Sequence, residues 1–278
     1  MPEADAQLEL FDAPPAKPKP RLLGDSNSDL NRDGTKIYTW TLPANWTFRR
    51  ADGRVGNTCP EAGVCARLCY ATERTSSFRR LPNVLASHRQ NLAMVLETPR
   101  EWEQWMIEEL RHPRFHGAVV RIHDAGDFFD DEYTQAWLRI MRSAPHVRFY
   151  AYTKAVDRFA RIVAPVKPDN FKYTLSLGGK EDVMIDLTTQ RHADVFPTTE
   201  ALEAAGYVDQ AASDLLAVAA DVVRVGMAVN QNATIRKRLG SHAFSTHQRM
   251  RDARRAAKEL IDFPAEQEEG QGHEAMRS

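Results

Sequence analysis

The sequence predicts an α/β protein, a partial (β/α) barrel of about six parallel strands, and three observations predict it. Short β-branched and aromatic runs alternate with stretches of helical period along most of the chain. The strand-like runs repeatedly end in polar residues and glycines. The 278 residues, 42% hydrophobic and 27% charged, suffice for one large folded unit. About six strands suit an incomplete barrel better than a closed one of eight. An open doubly wound sheet is the alternative, and periodicity alone does not separate the two.

Residues 1–34 read as a disordered tail. Prolines 14, 15, 18 and 20 alternate with lysines, and a Gly/Asp/Ser/Asn run follows, too polar to offset the entropy of ordering. Residues 35–262 read as a single α/β domain and 263–278 as a flexible acidic tail. Ile37–Leu42 is aromatic and β-branched, a strand. Pro82–Glu97 has helical period, and Thr98-Pro-Arg-Glu101 supplies an N-cap, a first-turn proline and a capping-box glutamate for the next helix. Strands are expected at Ala118–His123, Val147–Tyr152, Phe171–Leu177, Ala193–Phe196 and Val222–Val229. Helices are expected through Tyr133–Met141, through Val156–Val163, before Gly206 and over Asp209–Ala220.

Lys and Arg number 37 against 38 Asp and Glu, a net charge of −1, so any basic patch is local. One such patch is Ile235–Lys258, with eight Lys/Arg and one acidic residue, Asp252. It reads either as phosphate-contacting or as the solvated face of an amphipathic helix. Nothing approaches the roughly 18–20 apolar residues of a membrane span. The acidic start lacks a signal core, and the expected location is the cytoplasm.

The only three cysteines, Cys59, Cys65 and Cys69, lie within eleven residues. An odd, clustered set argues against a disulfide framework and for a metal or reactive site in a reducing compartment. A closed zinc site needs a fourth ligand, such as His88 or His123. A 4Fe–4S cluster held by three cysteines leaves one iron open to a small ligand and uses every thiol present.

In parallel β/α folds ligands sit at the C-terminal strand ends. There the chain carries His123, Asp124, Gly126 and Asp127; Tyr152 and Lys154; Ser176 with two glycines; and Asn230. Two plainer readings stand beside this one. Asp124 and Asp127 could cap the next helix, and His123 could be a hydrogen-bonded core histidine.

The Cys69-Tyr-Ala ending with its upstream cysteine spacing, Arg121-Ile-His-Asp-Ala-Gly-Asp-Phe128 and Phe149-Tyr-Ala-Tyr-Thr-Lys154 together resemble the "gene product 88" family of phages and mobile elements, over roughly residues 36–235. That family has no assigned function. The same features resemble, more distantly, radical SAM enzymes, although the C-x5-C-x3-C spacing departs from their usual C-x3-C-x2-C and Tyr70 follows the last cysteine instead of preceding it. The radical SAM resemblance implies a partial barrel whose three cysteines bind a 4Fe–4S cluster, with S-adenosyl-L-methionine (SAM) on the open iron and an electron donor as partner. It further implies Asp124, Asp127 and the carbonyls around Gly126 as acceptors for the SAM ammonium, Lys154 or Ser176 for its carboxylate, and Asn230 for the ribose. A nucleotide or nucleic acid is the candidate substrate. The alternative is a non-enzymatic DNA-associated protein with a structural zinc or iron–sulfur site.

Gln7-Leu-Glu-Leu-Phe11 resembles the pentapeptide that grips a bacterial DNA sliding clamp. Leu8, Leu10 and Phe11 would fill apolar pockets and Gln7 would hydrogen-bond at their edge, on a tether with reach.

Overall fold

The computed structural model describes residues 21–25, 35–69, 71, 82–219, 221–229 and 233–262. The clamp-like residues Gln7, Leu8, Leu10 and Phe11, and Asn230, lie outside them.

The element order begins β1 (Gly24–Asp25), β2 (Ile37–Trp40), β3 (Thr47–Arg49), β4 (Val55–Asn57), α1 (Val64–Leu68), α2 (Pro82–Glu97), α3 (Pro99–Leu110), β5 (Val119–Ile122) and α4 (Asp131–Ser143). It continues β6 (Arg148–Thr153), α5 (Val156–Arg158), β7 (Phe171–Ser176), β8 (His192–Phe196), α6 (Thr199–Ala204), β9 (Val208–Asp209), β10 (Arg224–Ala228), α7 (Ala233–Leu239) and α8 (Phe244–Asp262). Strands β3 and β4 form a separate antiparallel hairpin.

The main sheet has eight strands in the order β1-β2-β5-β6-β7-β8-β10-β9. Six of them, β2 to β10, run parallel and in chain order, which is the expected set. The two additions are edge pieces of two residues each: β1, antiparallel to β2, and β9, parallel to β10. A doubly wound sheet reverses its strand order at a switch point. Among the six longer strands the order never reverses, which argues against that alternative; what forms is a mostly parallel sheet with β1 and β9 at its edges, and among the described residues no pairing closes it into a barrel.

Alternation along the strands buries both faces, as parallel sheets require. Tyr38, Trp40, Val120, Ile122, Phe149 and Ala151 join one large core with α2, α3 and α4. Its centre is aromatic: Trp40, Trp102 and Trp137 are fully buried with ring centroids 5.5–6.2 Å apart. Truncating any one of them should cost about 3–5 kcal/mol. Ile37, Val119, Tyr150 and Tyr152 face the other way, against Leu215.

Three local expectations are corrected. The expected helix Asp209–Ala220, whose last residue lies outside the described ones, is not an α-helix; after β9 the chain forms two 3₁₀ turns, Gln210–Ala212 and Asp214–Val218. Asp209 and Ser213 each cap a new turn, and Asp214 is drawn into the sheet face by Arg121 and Tyr150. The helix after β6 passes from α5 into a π turn, Phe159–Val163, and then a 3₁₀ turn containing Pro165, which has no N–H to continue the ladder. No capping box forms at α3, because the Thr98 hydroxyl donates back to the Met94 carbonyl at 3.3 Å. Among the described residues, no helix is long and apolar enough to cross a membrane.

Candidate functional site at the strand ends

The cysteine segment is fastened across the C-terminal ends of β2, β5 and β7. Thr58 makes the first fastening: its hydroxyl donates to the Pro43 carbonyl at 2.6 Å and accepts from Trp46 N at 2.9 Å. Its carbonyl accepts from Asp127 N at 2.7 Å. Cys59 N donates to Asn57 Oδ1 at 2.7 Å, and Asn45 N donates to Cys59 Sγ at 3.3 Å. At β7 the Gly178 carbonyl accepts from both Gly63 N and Cys65 N at 3.1 Å, and Glu61 O accepts from Lys180 N at 2.8 Å. Gly178 has φ +91°, and a Cβ there would meet Phe244 and Val64 at 3.0–3.3 Å, so only glycine lets the cysteine helix α1 lie this close. Gln248 of α8 closes the fastening by accepting from Val64 N at 2.7 Å.

The predicted residues divide into three groups. Cys59, Asp127, Lys154 and Ser176 come together. Asp127 is buried, and its carboxylate accepts from Phe128 N (2.8 Å), the Thr153 hydroxyl (2.7 Å) and Lys154 N (2.9 Å). Burial pushes its pKa up against those donors. The Lys154 ammonium donates to Ser176 Oγ at 2.6 Å, Leu177 O at 3.0 Å and Ser176 O at 3.3 Å. Burial first, then the Asp127 charge, pushes the Cys59 thiol up to about 12. Cys65 and Cys69 also raise it, so the three thiols share one electrostatic neighbourhood.

Asp124 and Gly126 border this group. Asp124 lies 3.4 Å from Arg121 Nη1 and within electrostatic reach of His88. Gly126 has φ +85° with Leu42 against it, and the neighbouring Ala125 carbonyl accepts from Leu42 N at 3.0 Å. Neither aspartate caps α4; Asp130 does, accepting from Tyr133 N at 2.7 Å.

His123 and Tyr152 lie elsewhere. His123 is buried, with Nε2 2.8 Å from the Tyr133 hydroxyl and Phe128 edge-on at 4.6 Å, a core histidine. Tyr152 donates to Gln210 Oε1 at 2.6 Å on the opposite sheet face, in a network that Arg121 and Asp214 complete.

Two carboxylates escaped the sequence reading. Asp194, in β8, is 2% exposed and accepts from Val195 N and Ser245 N at 2.8 and 3.2 Å. Asp182 accepts from Gly178 N and Gly179 N at 2.8 Å each. Burial pushes both pKa values up, and Lys154 is the cation that opposes this for both, as for Asp127. An acid inside the otherwise apolar run Ala193–Phe196 was the available signal. Among the described residues, no three His, Cys, Asp or Glu side chains are gathered closely enough to hold a metal ion.

Comparison with known proteins places the chain among phage sequences. It is 33% identical over 104 residues to the gene 88 protein of Mycobacterium phage L5, a match spanning 36% of this chain and 44% of that one. It is 29% identical over 160 residues to the gene 88 protein of Mycobacterium phage D29, spanning 51% and 67%. The match thus covers less than half the length of the first relative. Neither is described as a radical SAM enzyme. No solved structure matches the chain. The family described as "Gene product 88" matches residues 21–259, nearly all of the described fold, and the chain belongs to that family.

Proposed function

We propose that Cys59, Cys65 and Cys69 hold an iron–sulfur centre at the rim of the sheet, and that the protein is an enzyme of the radical SAM type. The observation that carries this reading is the fastening of the cysteine segment by Thr58, Gly178 and Gln248 over the ends of parallel strands laid in chain order. The donor set fits by kind and number: three thiols suit a 4Fe–4S cluster with one open iron, whereas a closed zinc site needs four ligands. Among the described residues the three sulfurs are not gathered closely enough for a metal ion, so holding one requires the cysteine segment to rearrange.

Cluster and SAM together supply reductive radical chemistry that removes hydrogen from an unactivated carbon. The chain's own part is electrostatic and positional. Three carboxylates, the buried Asp127 and Asp194 and the half-buried Asp182, lie within electrostatic reach of one ammonium, Lys154. That imbalance favours a cationic occupant such as SAM. Asp194 and Asp127 offer acceptors for an ammonium group, with Asp124 beside them, while Lys154 and Ser176 offer donors to a carboxylate. Asn230 remains the proposed ribose contact. An external electron donor completes the reading, and zinc is the alternative metal.

Anaerobic purification tests it. A brown protein with about four irons per chain that releases 5′-deoxyadenosine from SAM on reduction supports the reading. A colourless, zinc-loaded protein without that release overturns it and favours a structural site. Cys65→Ala should lose the metal; unchanged metal content would count against these ligands.

A further inference from the structure

A groove of about 600 Å³ lies between the cysteine helix α1 and helices α7 and α8. Its walls come from three elements far apart in sequence: α1 contributes Arg67, α7 Arg238, and α8 Arg251 and Arg254, over a floor that includes Leu68 and Met250. On α8 the groove residues His247, Met250, Arg251 and Arg254 follow i, i+3, i+4, i+7 spacing and so share one face. Among the described residues, none of the four guanidinium groups is held in an ion pair, and no acidic side chain lines the groove. Asp252, the only acid between 235 and 258, is engaged by the Gln248 amide at 2.9 Å. In a chain of net charge −1, four unneutralised arginines converging on one trough are a segregated feature.

We propose that this groove binds a single-stranded segment of nucleic acid, with its phosphates on Arg67, Arg238, Arg251 and Arg254 and a base against Met250 and Leu68. Charge complementarity selects a polyanion. Arg236, Lys237, Arg249 and Lys258, on the same two helices, continue the positive charge beyond what one mononucleotide could match, whereas Arg255 is paired with Glu259. An apolar floor between arginines is how single strands are held without sequence readout. A trough of this volume seats a nucleotide or two, and its apolar floor can meet a base face only where the strand is unpaired. Arg67 lies between Cys65 and Cys69, so a bound strand would run against the cysteine helix. That the strand is also the substrate rests on the reading of the cysteines given above; its binding does not.

The test is fluorescence anisotropy of the full chain with labelled 20-mers of oligo-dT and oligo-rU across a salt series. At about 0.7 per neutralised phosphate, four contacts give a slope of log K against log salt near about −3. Arg251→Ala/Arg254→Ala should bind on the order of tenfold more weakly and halve the slope. Arg67→Ala, on a separate element, should act in the same direction, and Arg148→Ala, near the opposite ends of the strands, should change nothing. Preference for dT or for rU identifies the source of the strand. Wild-type affinity in the arginine variants overturns the proposal, as does equal binding of a 20-bp duplex, or competition by inorganic pyrophosphate as strong as by the oligonucleotide. Iron content is measured on the same preparations. Groove-dependent binding by iron-free protein supports the groove and removes only the cysteine reading, whereas iron-loaded protein that binds no strand sinks the groove alone.

Discussion

At residue 123 an imidazole occupies left-handed backbone, φ +67°, inside a shell of Tyr133 and Phe128. Burial holds its pKa down to about 3. The native state therefore resists a proton that the unfolded chain accepts below about 6.5. The neutral ring contributes stability above that pH, and the contribution is lost as pH falls towards 3. His123→Asn tolerates the backbone angle and cannot titrate. Urea midpoints measured between pH 6.5 and 4 should show a shallower acid slope for the variant, by up to about 1.4 kcal/mol per pH unit; parallel slopes would reject this account. Cys59 gives a second expectation. Raised from 9.0 to about 12, the thiol carries on the order of a thousandfold less thiolate than an ordinary one. In metal-free protein at pH 8, iodoacetamide should modify it correspondingly slowly, and Asp127→Asn should speed the reaction, as followed by peptide mass spectrometry. The sequence marks His123 as the residue after a strand and Cys59 as the first of a clustered trio. It left His123 with two readings because the deciding neighbour, Tyr133, comes within hydrogen-bonding reach only once β5 and α4 have packed together.

Among the elements, those with a strong local period were legible. Pro82–Glu97 is helical over its expected span, and each of the six parallel strands falls within two residues of its expected bounds. The β3–β4 hairpin was missed although Asp52-Gly53 marks its turn, with Gly53 at φ +84°. The 209–220 stretch misled because its conformation is set by a distant charge. Asp214, 2% exposed, accepts from Arg121 Nη1 at 3.1 Å, from the Tyr150 hydroxyl and from Gln210 Nε2 at 2.6 Å. This network pins the turns across the second face of the sheet. Asp214→Ala leaves Arg121 buried without its better partner and should destabilise the protein by about 3 kcal/mol in urea denaturation. Tyr150→Phe removes one hydrogen bond and should cost about 1 kcal/mol. Equal costs for the two would mean that the ion pair is not the pin.

Over the whole molecule, the sequential strand order follows from repeated β/α units, which the sequence announced. What it did not announce is that α8 returns to the cysteine segment. Gln248 and Val64 are 184 residues apart, and no local pattern couples them. Their hydrogen bond is buried, and a Cβ on the adjacent Gly63 would stand 2.1 Å from Gln248 Oε1, so this side chain, together with Phe244 packed on Val64 and Leu68, is how the last helix locates the metal-candidate loop. It also ties together two walls of the arginine groove, since Arg67 rides on α1 and Arg251 on α8. Gln248→Ala strands the Val64 N–H without an acceptor, at a cost of about 1–3 kcal/mol. A chain of this size should then melt lower by about 2–4 °C for each kcal/mol. The distinguishing result is local: protease cleavage within residues 58–69 should rise well beyond what the fall in melting temperature explains, while cleavage elsewhere follows global unfolding. Uniformly increased cleavage would mean that α8 stabilises the fold without holding the cysteine segment. In that case strand binding should survive the substitution, whereas loss of the loop's anchor should weaken it together with the retention of any metal.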